Sequence, residues 1–335
     1  MKLDFDPRKN ITKCDYLLAP FTQFEAFLAI RRIVKNWPDV LLFRLGLKKK
    51  FILQLRDGSK INVNRLKDYF NFWNSEDYFN FWNTYEGKTI FQKQQRGLNI
   101  KLDIDKRKKI IKFNFMHKPI SLAYDSIRQL VNTFGMITEQ FIKEEYKWLC
   151  VKDKDVVDIG ANIGDTAIYF ALKDARHVYA FEPYPYSYNV AVKNVKLNHL
   201  EKSITLLNEG VGGKCGSVVI NDKYQNTSGS TLRSFRSGKH IGITTLGSII
   251  NRFKISYPAI LKIDCEGCEY SVLLKAKDSD LKRFKQIQIE YHHGYLNLKK
   301  KLEDAGFKVK RTLPRESSIG AENNSSIGLI YAEMG

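Results

Sequence analysis

The sequence predicts an α/β protein, a doubly wound Rossmann-like sheet preceded by an N-terminal α+β accessory domain. Three observations carry this. Val156–Thr166, VVDIGANIGDT, is an apolar run of buried-strand type that ends in an acidic residue and then two glycines, Gly160 and Gly164. That is what a parallel strand needs to turn tightly into a helix over a bound ligand. Val178–Pro183, VYAFEP, is a second apolar strand closed by Glu182, about twenty residues further on, where an acidic side chain meets a ribose in such folds. After Leu149 the order strand, helix, strand, helix recurs, which implies a parallel sheet covered on both faces.

The N-terminal elements follow from local pattern. Tyr16–Trp37 is apolar at helical spacing (Leu17, Phe21, Phe24, Phe27, Leu28) and ends in Arg31, Arg32 and Lys35 before Pro38, so it reads as an amphipathic helix. Such a helix packs on its own domain or lies on a membrane with its basic residues at the headgroups. Phe51–Val63 is two alternating segments about Asp57-Gly58, a hairpin signal. A second hairpin is expected over Leu98–Phe115, turning near Asp105–Lys108. Between them DYFNFWN occurs twice, at Asp68–Asn74 and Asp77–Asn83, a local duplication whose rings either fill a small core or stack on sugars or bases. Tyr124–Leu149 is helical in pattern and leads into the first strand of the second domain, so the domains are taken as 1–123 and 124–335. Gly210–Gly242 is a Gly, Ser and Thr-rich insertion containing a short hairpin segment, CGSVVI.

Composition narrows the class. At 335 residues and 43% hydrophobic content the chain can bury one large or two smaller cores. The net charge of +19 attracts polyanions without naming one. The charged start, MKLDFDPRKN, lacks the apolar core of a signal peptide, and no window reaches the roughly 18 apolar residues that span a bilayer. Five cysteines, an odd number at irregular spacing, make no disulfide framework and fit reduced thiols in the cytoplasm. Cys265 and Cys268 form a C-x-x-C with no second pair, so neither metal nor redox use is assigned to them.

The glycine loop departs from the dinucleotide pattern, because Asn162 stands where a middle glycine would let a pyrophosphate approach the backbone. Asn tolerates left-handed geometry, so the turn survives. The site then suits an adenosine ligand without phosphates, S-adenosylmethionine, with its ribose at Glu182 and its amino-acid end over Asp158–Gly164 near a helix N-terminus. The cofactor-binding set is Asp158, Gly160, Asn162, Gly164, Asp165, Glu182, Pro183 and Asn208.

From about Trp148 to the C-terminus the chain resembles the FkbM family of S-adenosylmethionine-dependent methyltransferases. The blocks are DIGANIGDT, FEP with the helix running into VKNVKLN, TTLGSII, LKIDCEGCEY, IQIEYHH and LEDAGF. Their order and spacing are more specific than any one alone. The resemblance implies a class I methyltransferase sheet and transfer to a hydroxyl of a glycan, glycolipid or secondary metabolite. Cys265 and Cys268 stand where the family has small apolar residues.

Asp264 ends LKID on the sheet edge that carries the glycine loop, and it is the first candidate for an acceptor-contacting carboxylate or general base. Glu266 follows it, and His292 at the end of IQIEYHH is the candidate imidazole base, which completes the catalytic set Asp264, Glu266 and His292. Glu269 reads as a helix N-terminal acid favoured by the dipole. Asp264, Glu266, Glu290, His292 and His293 together offer mixed ligands for a divalent ion, but no spacing rule enforces one, and no metal-binding residue is assigned. The partner is a small-molecule or glycan acceptor. The alternatives are an RNA methyltransferase, favoured by the basic charge but lacking an aromatic-flanked Pro-Pro signature, and a noncatalytic binding protein, which an intact cofactor loop opposes.

Overall fold

The computed structural model describes residues 34–44, 47–56, 58, 60–64, 102–220, 237–316 and 326–335. The helix expected over Tyr16–Trp37 lies, up to residue 33, outside the described residues, as do both DYFNFWN copies, residues 98–101 of the second expected hairpin and residues 221–236 of the insertion. Where this stretch is described it departs from expectation. Val34 bridges Leu55 antiparallel, and Pro38 opens helix α1 (Trp37–Arg44) instead of closing one. Proline suits a first helical turn because its missing N–H has no intrahelical acceptor there. Strands β1 (Phe51–Gln54) and β2 (Lys60–Val63) form the expected hairpin, with Phe51 opposite Val63. Their alternation buries Phe51, Leu53 and Val63 and exposes Ile52.

An antiparallel meander follows, β3 (Asp103–Asp105), β4 (Ile110–Phe115) and β5 (Lys118–Ala123). Its first turn is the expected one, closed by Asp105 Oδ1 accepting the Arg107 and Lys108 N–H groups at 3.1 and 2.9 Å. Helix α2 (Ile127–Ile137) starts at Ser126, whose hydroxyl accepts the Gln129 N–H. It runs on into a π-helical turn, Thr138–Ile142.

The second half alternates as the pattern demands. In order come β6 (Asp155–Ile159), α3 (Asp165–Leu172), β7 (His177–Phe181), α4 (Pro185–Leu197) and β8 (Ile204–Leu207). A side sheet is made by β9 (Gly210–Val211), β10 (Gly216–Ile220) and β11 (Lys239–Thr244), so the CGSVVI segment pairs across the insertion with β11. Then follow α5 (Leu246–Phe253), β12 (Ala259–Ile263), α6 (Glu269–Lys275), α7 (Asp278–Leu281), β13 (Phe284–Tyr291), α8 (Leu296–Asp304), β14 (Phe307–Arg311), β15 (Arg315–Glu316) and β16 (Ser326–Met334).

The main sheet runs β14-β16-β13-β12-β6-β7-β8. This is the doubly wound, Rossmann-like class I order. Pairs β13-β12-β6-β7-β8 are parallel, but β16 lies antiparallel between β13 and β14. The sheet is therefore mixed, with the expected parallel run joined at one end by an antiparallel strand.

Each central strand is buried on both faces and divides its residues between two cores. Val157, Ile159, Leu261 and Ile263 face one cluster, and Val156 and Ile260 face the other. The second cluster also holds Ile111, Phe113, Phe115 and Leu122 of the meander beside Phe141 and Tyr169. Asparagines of α4 reinforce this packing. Asn194 Oδ1 accepts the Ala123 N–H at 2.7 Å, and Asn198 both accepts from and donates to the Ser121 backbone. The edge of β5 is thus bonded to α4, since a strand edge with no neighbouring strand must find its hydrogen bonds elsewhere.

Candidate active site

Parallel strands β6 and β12 pair Asp158 with Lys262 in register. Both side chains project on the face away from Val157 and Leu261, where neither reaches water. Lys262 Nζ lies 3.0 Å from Asp158 Oδ1 and donates to the Gly160 carbonyl at 2.8 Å. Thr166 Oγ1 donates to the other Asp158 oxygen at 2.5 Å. Burial works against the Lys262 charge, but Asp158, Asp264 and Asp165 outweigh it and hold the ammonium above its ordinary pKa. Asp158 therefore braces the glycine loop from beneath.

The loop itself is dictated by close approach. Gly160 has φ +85°, and a Cβ there would stand 1.8 Å from the Asp264 carbonyl oxygen. Gly160 and Ala161 donate to the Phe181 carbonyl, and Asp264 N–H donates to Ile159, so the loop is tied to both flanking strands. Asn162 adopts φ +48°, the left-handed turn expected of it. Gly164, φ +81°, begins α3 against Ala191.

Glu182 closes β7 and is 4% exposed. Its two carboxylate oxygens accept the Asn162 and Tyr184 N–H groups, each at 2.9 Å. Burial nonetheless pushes its pKa to about 7. Asn208 donates to the Glu182 and Pro183 carbonyls at 2.9 and 3.0 Å and so fixes the strand end. Asp165, buried at the start of α3, is likewise raised to about 7 by burial, against the pull of Lys262.

These parts open on a cavity of about 340 Å³, within the roughly 300–1,000 Å³ of small-molecule sites. Of the expected residues, Gly160, Asn162, Asp165, Glu182, Pro183, Asp264 and Glu266 line it, whereas Asp158, Gly164, Asn208 and His292 are not part of the lining. An adenosine ligand without phosphates fits this donor set. Glu182 offers a carboxylate for ribose hydroxyls, and Lys262, the one cationic residue in the described lining, is already held by Asp158 and the Gly160 carbonyl.

The opposite wall comes from the loop after β12. Asp264 lies 3.5 Å from the Tyr146 hydroxyl. Glu266 and Gly267 both take positive φ, 57° and 112°. Cys265 and Cys268 are joined in a disulfide, against the expectation that every thiol stays reduced. Three residues apart, they span just this bend. Glu269 does more than favour a helix dipole. It is fully buried, with one oxygen accepting the Gly267 N–H at 2.8 Å and the other 3.1 Å from both the backbone N and Nδ1 of His292. His292 Nε2 lies 3.1 Å from Glu266 and 3.9 Å from Glu290. Burial opposes a charged imidazole, but Glu269 and Glu266 prevail and raise its pKa well above the ordinary value. His292, the expected imidazole base, is thus held between Glu269 and Glu266. His293 is shifted the other way, by burial, and its N–H donates to the Tyr270 hydroxyl.

Several lining residues were not foreseen. Asn132, Met136, Glu139 and Gln140 come from α2 and its π turn. The surrounding protein, then Glu145, Asp264 and Asp165, push the Glu139 pKa up to about 7. Lys262 did leave a signal, a lone charge in the otherwise apolar strand AILKI. The π turn left none.

Residues 158–309 match the family model for the Methyltransferase FkbM domain. Over 115 residues the chain is 32% identical to the Methanocaldococcus jannaschii protein named "Putative protein N5-glutamine methyltransferase", covering 33% of this chain and 58% of that one. It is 29% identical over 149 residues to "Uncharacterized protein 158B" of Sulfolobus islandicus rod-shaped virus 1, covering 44% and 66%. The chain thus spans less than two thirds of each of these curated relatives. Among solved structures it is similar to a methyltransferase FkbM from Methylobacillus flagellatus at 18% identity and TM-score 0.38, over 63% of this chain and 56% of that one. Among the described residues no helix is long and apolar enough to cross a membrane.

Proposed function

We propose that the protein is an S-adenosylmethionine-dependent methyltransferase that methylates a hydroxyl of a glycan, glycolipid or secondary metabolite. The observation that carries this is Glu182, held on the cavity wall by the Asn162 N–H of the glycine loop, so that a ribose-binding carboxylate and the adenosine loop form one unit. The FkbM domain match over residues 158–309 supports the same reading.

S-adenosylmethionine supplies an electrophilic methyl group on a sulfonium. Glu182 would accept the ribose hydroxyls, and the loop Gly160–Gly164 would lie beside the amino-acid end. Asp264 and Glu266, on the far wall, receive the acceptor hydroxyl. With the cofactor bound, its methyl group would go to the acceptor oxygen and leave the sulfur as a neutral thioether, and Asp264 or Glu266 would take the hydroxyl proton. Positioning and exclusion of water do the rest. The amide-nitrogen acceptor in the name of the M. jannaschii relative is disfavoured, because Asp264 stands where a Pro-Pro signature is used for amino groups. The N-terminal residues are the natural acceptor cap.

Calorimetric titration with S-adenosylmethionine and, separately, NAD tests this. Saturable binding of S-adenosylmethionine with a dissociation constant of about 1 μM to 1 mM, followed by transfer of labelled methyl to a hydroxyl acceptor, is expected. Binding of NAD alone, or of neither, overturns it.

A further inference from the structure

We propose that Cys265 and Cys268 form a redox-modification site on the cavity wall, opened by a dithiol reductant and closed by oxidation, whose state is passed to the acceptor side through Glu269. Both cysteines line the cavity beside Asp264 and Glu266, and both are partly exposed, so the bond is open to a small dithiol. Two further observations favour exchange over a structural staple. A disulfide stabilises a fold chiefly by closing a long loop of the unfolded chain, and one between residues three apart closes very little. The bend it spans also has supports of its own. Gly267 N–H donates to Glu269 Oε2 at 2.8 Å, and Asp264 N–H donates to the Ile159 carbonyl.

The exchange needs no other reactant. A thiolate of the dithiol attacks one sulfur of the pair, and the other sulfur leaves. The second thiolate of the reagent then attacks its own sulfur in the mixed disulfide and releases the remaining cysteine. One S–S bond breaks in the protein and one forms in the reagent. Two electrons pass to the protein, and both cysteines take up a proton.

That proton changes the hydrogen bonding of one buried carboxylate. Cys265 Sγ lies 3.6 Å from Glu269 Oε2, the same oxygen that accepts the Gly267 N–H. In the disulfide the sulfur has no proton to give. Once reduced it carries an S–H, a weak donor within reach of an oxygen already in use. The other Glu269 oxygen stands 3.1 Å from both the backbone N and Nδ1 of His292, whose Nε2 is 3.1 Å from Glu266. The change thus runs from sulfur to carboxylate to imidazole and on to Glu266, an acid of the acceptor wall. It also reaches the glycine loop, because a Cβ on Gly160 would stand 3.1 Å from Cys265 Cα. Freedom gained by the one loop is felt by the other.

Hydrogen exchange of the full chain before and after dithiothreitol tests this, with alkylation reporting the redox state and calorimetry of S-adenosylmethionine in parallel. The exposed, free Cys150 and Cys215 are expected to alkylate in both states. Cys265 and Cys268 are expected to do so only after dithiothreitol, and to close again with glutathione disulfide. The reduced chain should exchange faster in peptides covering 158–166 and 264–270, and should bind S-adenosylmethionine about fivefold or more weakly. The double variant Cys265→Ser, Cys268→Ser should match the reduced chain with or without dithiothreitol. Alkylation of Cys265 and Cys268 before any reductant and again after glutathione disulfide overturns the site, and so does exchange that is identical in the two states. The effect on cofactor affinity rests on the proposed function, whereas the exchange readout does not. Redox-dependent exchange in a chain that binds no S-adenosylmethionine upholds the site and removes the methyltransferase reading. Cofactor binding with identical exchange and affinity in both states does the reverse.

Discussion

Replacing Glu182 by glutamine keeps the shape of the side chain and removes one acceptor. Its two oxygens accept separate backbone N–H groups, from Asn162 on the loop and Tyr184 beyond the strand. An amide can satisfy one of them and must turn its own NH2 towards the other. A buried donor left without a partner costs about 1–3 kcal/mol, so Glu182→Gln should destabilise the ligand-free chain by that amount. Cofactor binding should suffer separately. Hydrogen bonds to a charged acceptor contribute about 1.5–3 kcal/mol, which is about a 10–150-fold rise in the dissociation constant for S-adenosylmethionine at 1.4 kcal/mol per tenfold. Denaturant unfolding reads the first effect and calorimetry the second. Wild-type affinity, to within about twofold, would refute the assignment of Glu182 to the ribose. An unchanged unfolding free energy would refute its structural role.

Lys262→Met should cost about 3–5 kcal/mol, because it strands the Asp158 carboxylate in the core with Thr166 as its remaining partner. Adding Asp158→Asn should recover much of that loss in denaturant unfolding, and no recovery would mean the pair is not what couples the two strands. Asp165 titrates in the folded state at about 7 instead of 3.8, so the folded chain holds the extra proton between those values. Its contribution is then fully present below the unfolded pKa and lost as pH rises towards about 7. Asp165→Asn should therefore gain stability over wild type by up to about 1.4 kcal/mol per pH unit across that window, then level off. A constant difference from pH 5 to 8 would reject the shift.

Much of the site was legible because its parts are local. The strand-loop-helix at Asp158–Asp165, the acid closing the next strand at Glu182 and the Asp264 strand end each declare themselves in a few residues, since a tight turn admits few side chains. The pairing of β1 with β2 was readable for the same reason. Pro38 was misread because proline both stops helices and starts them, and which it does depends on what precedes it.

The sequence by itself determined the alternation of strand and helix, the left-handed glycine loop and the acids at the strand ends, because these obey local periodicity and backbone sterics. The tertiary structure alone decided what the charges do. Register brought Lys262 beside Asp158, two strands converged Asp264, Glu290 and His292, and a buried Glu269 turned the imidazole towards them. The meander joined the second core through Asn194 and Asn198, and β16 entered the sheet antiparallel. These outcomes depend on distances between residues far apart in the chain and on the loss of water around them, and neither is written in any local stretch of sequence.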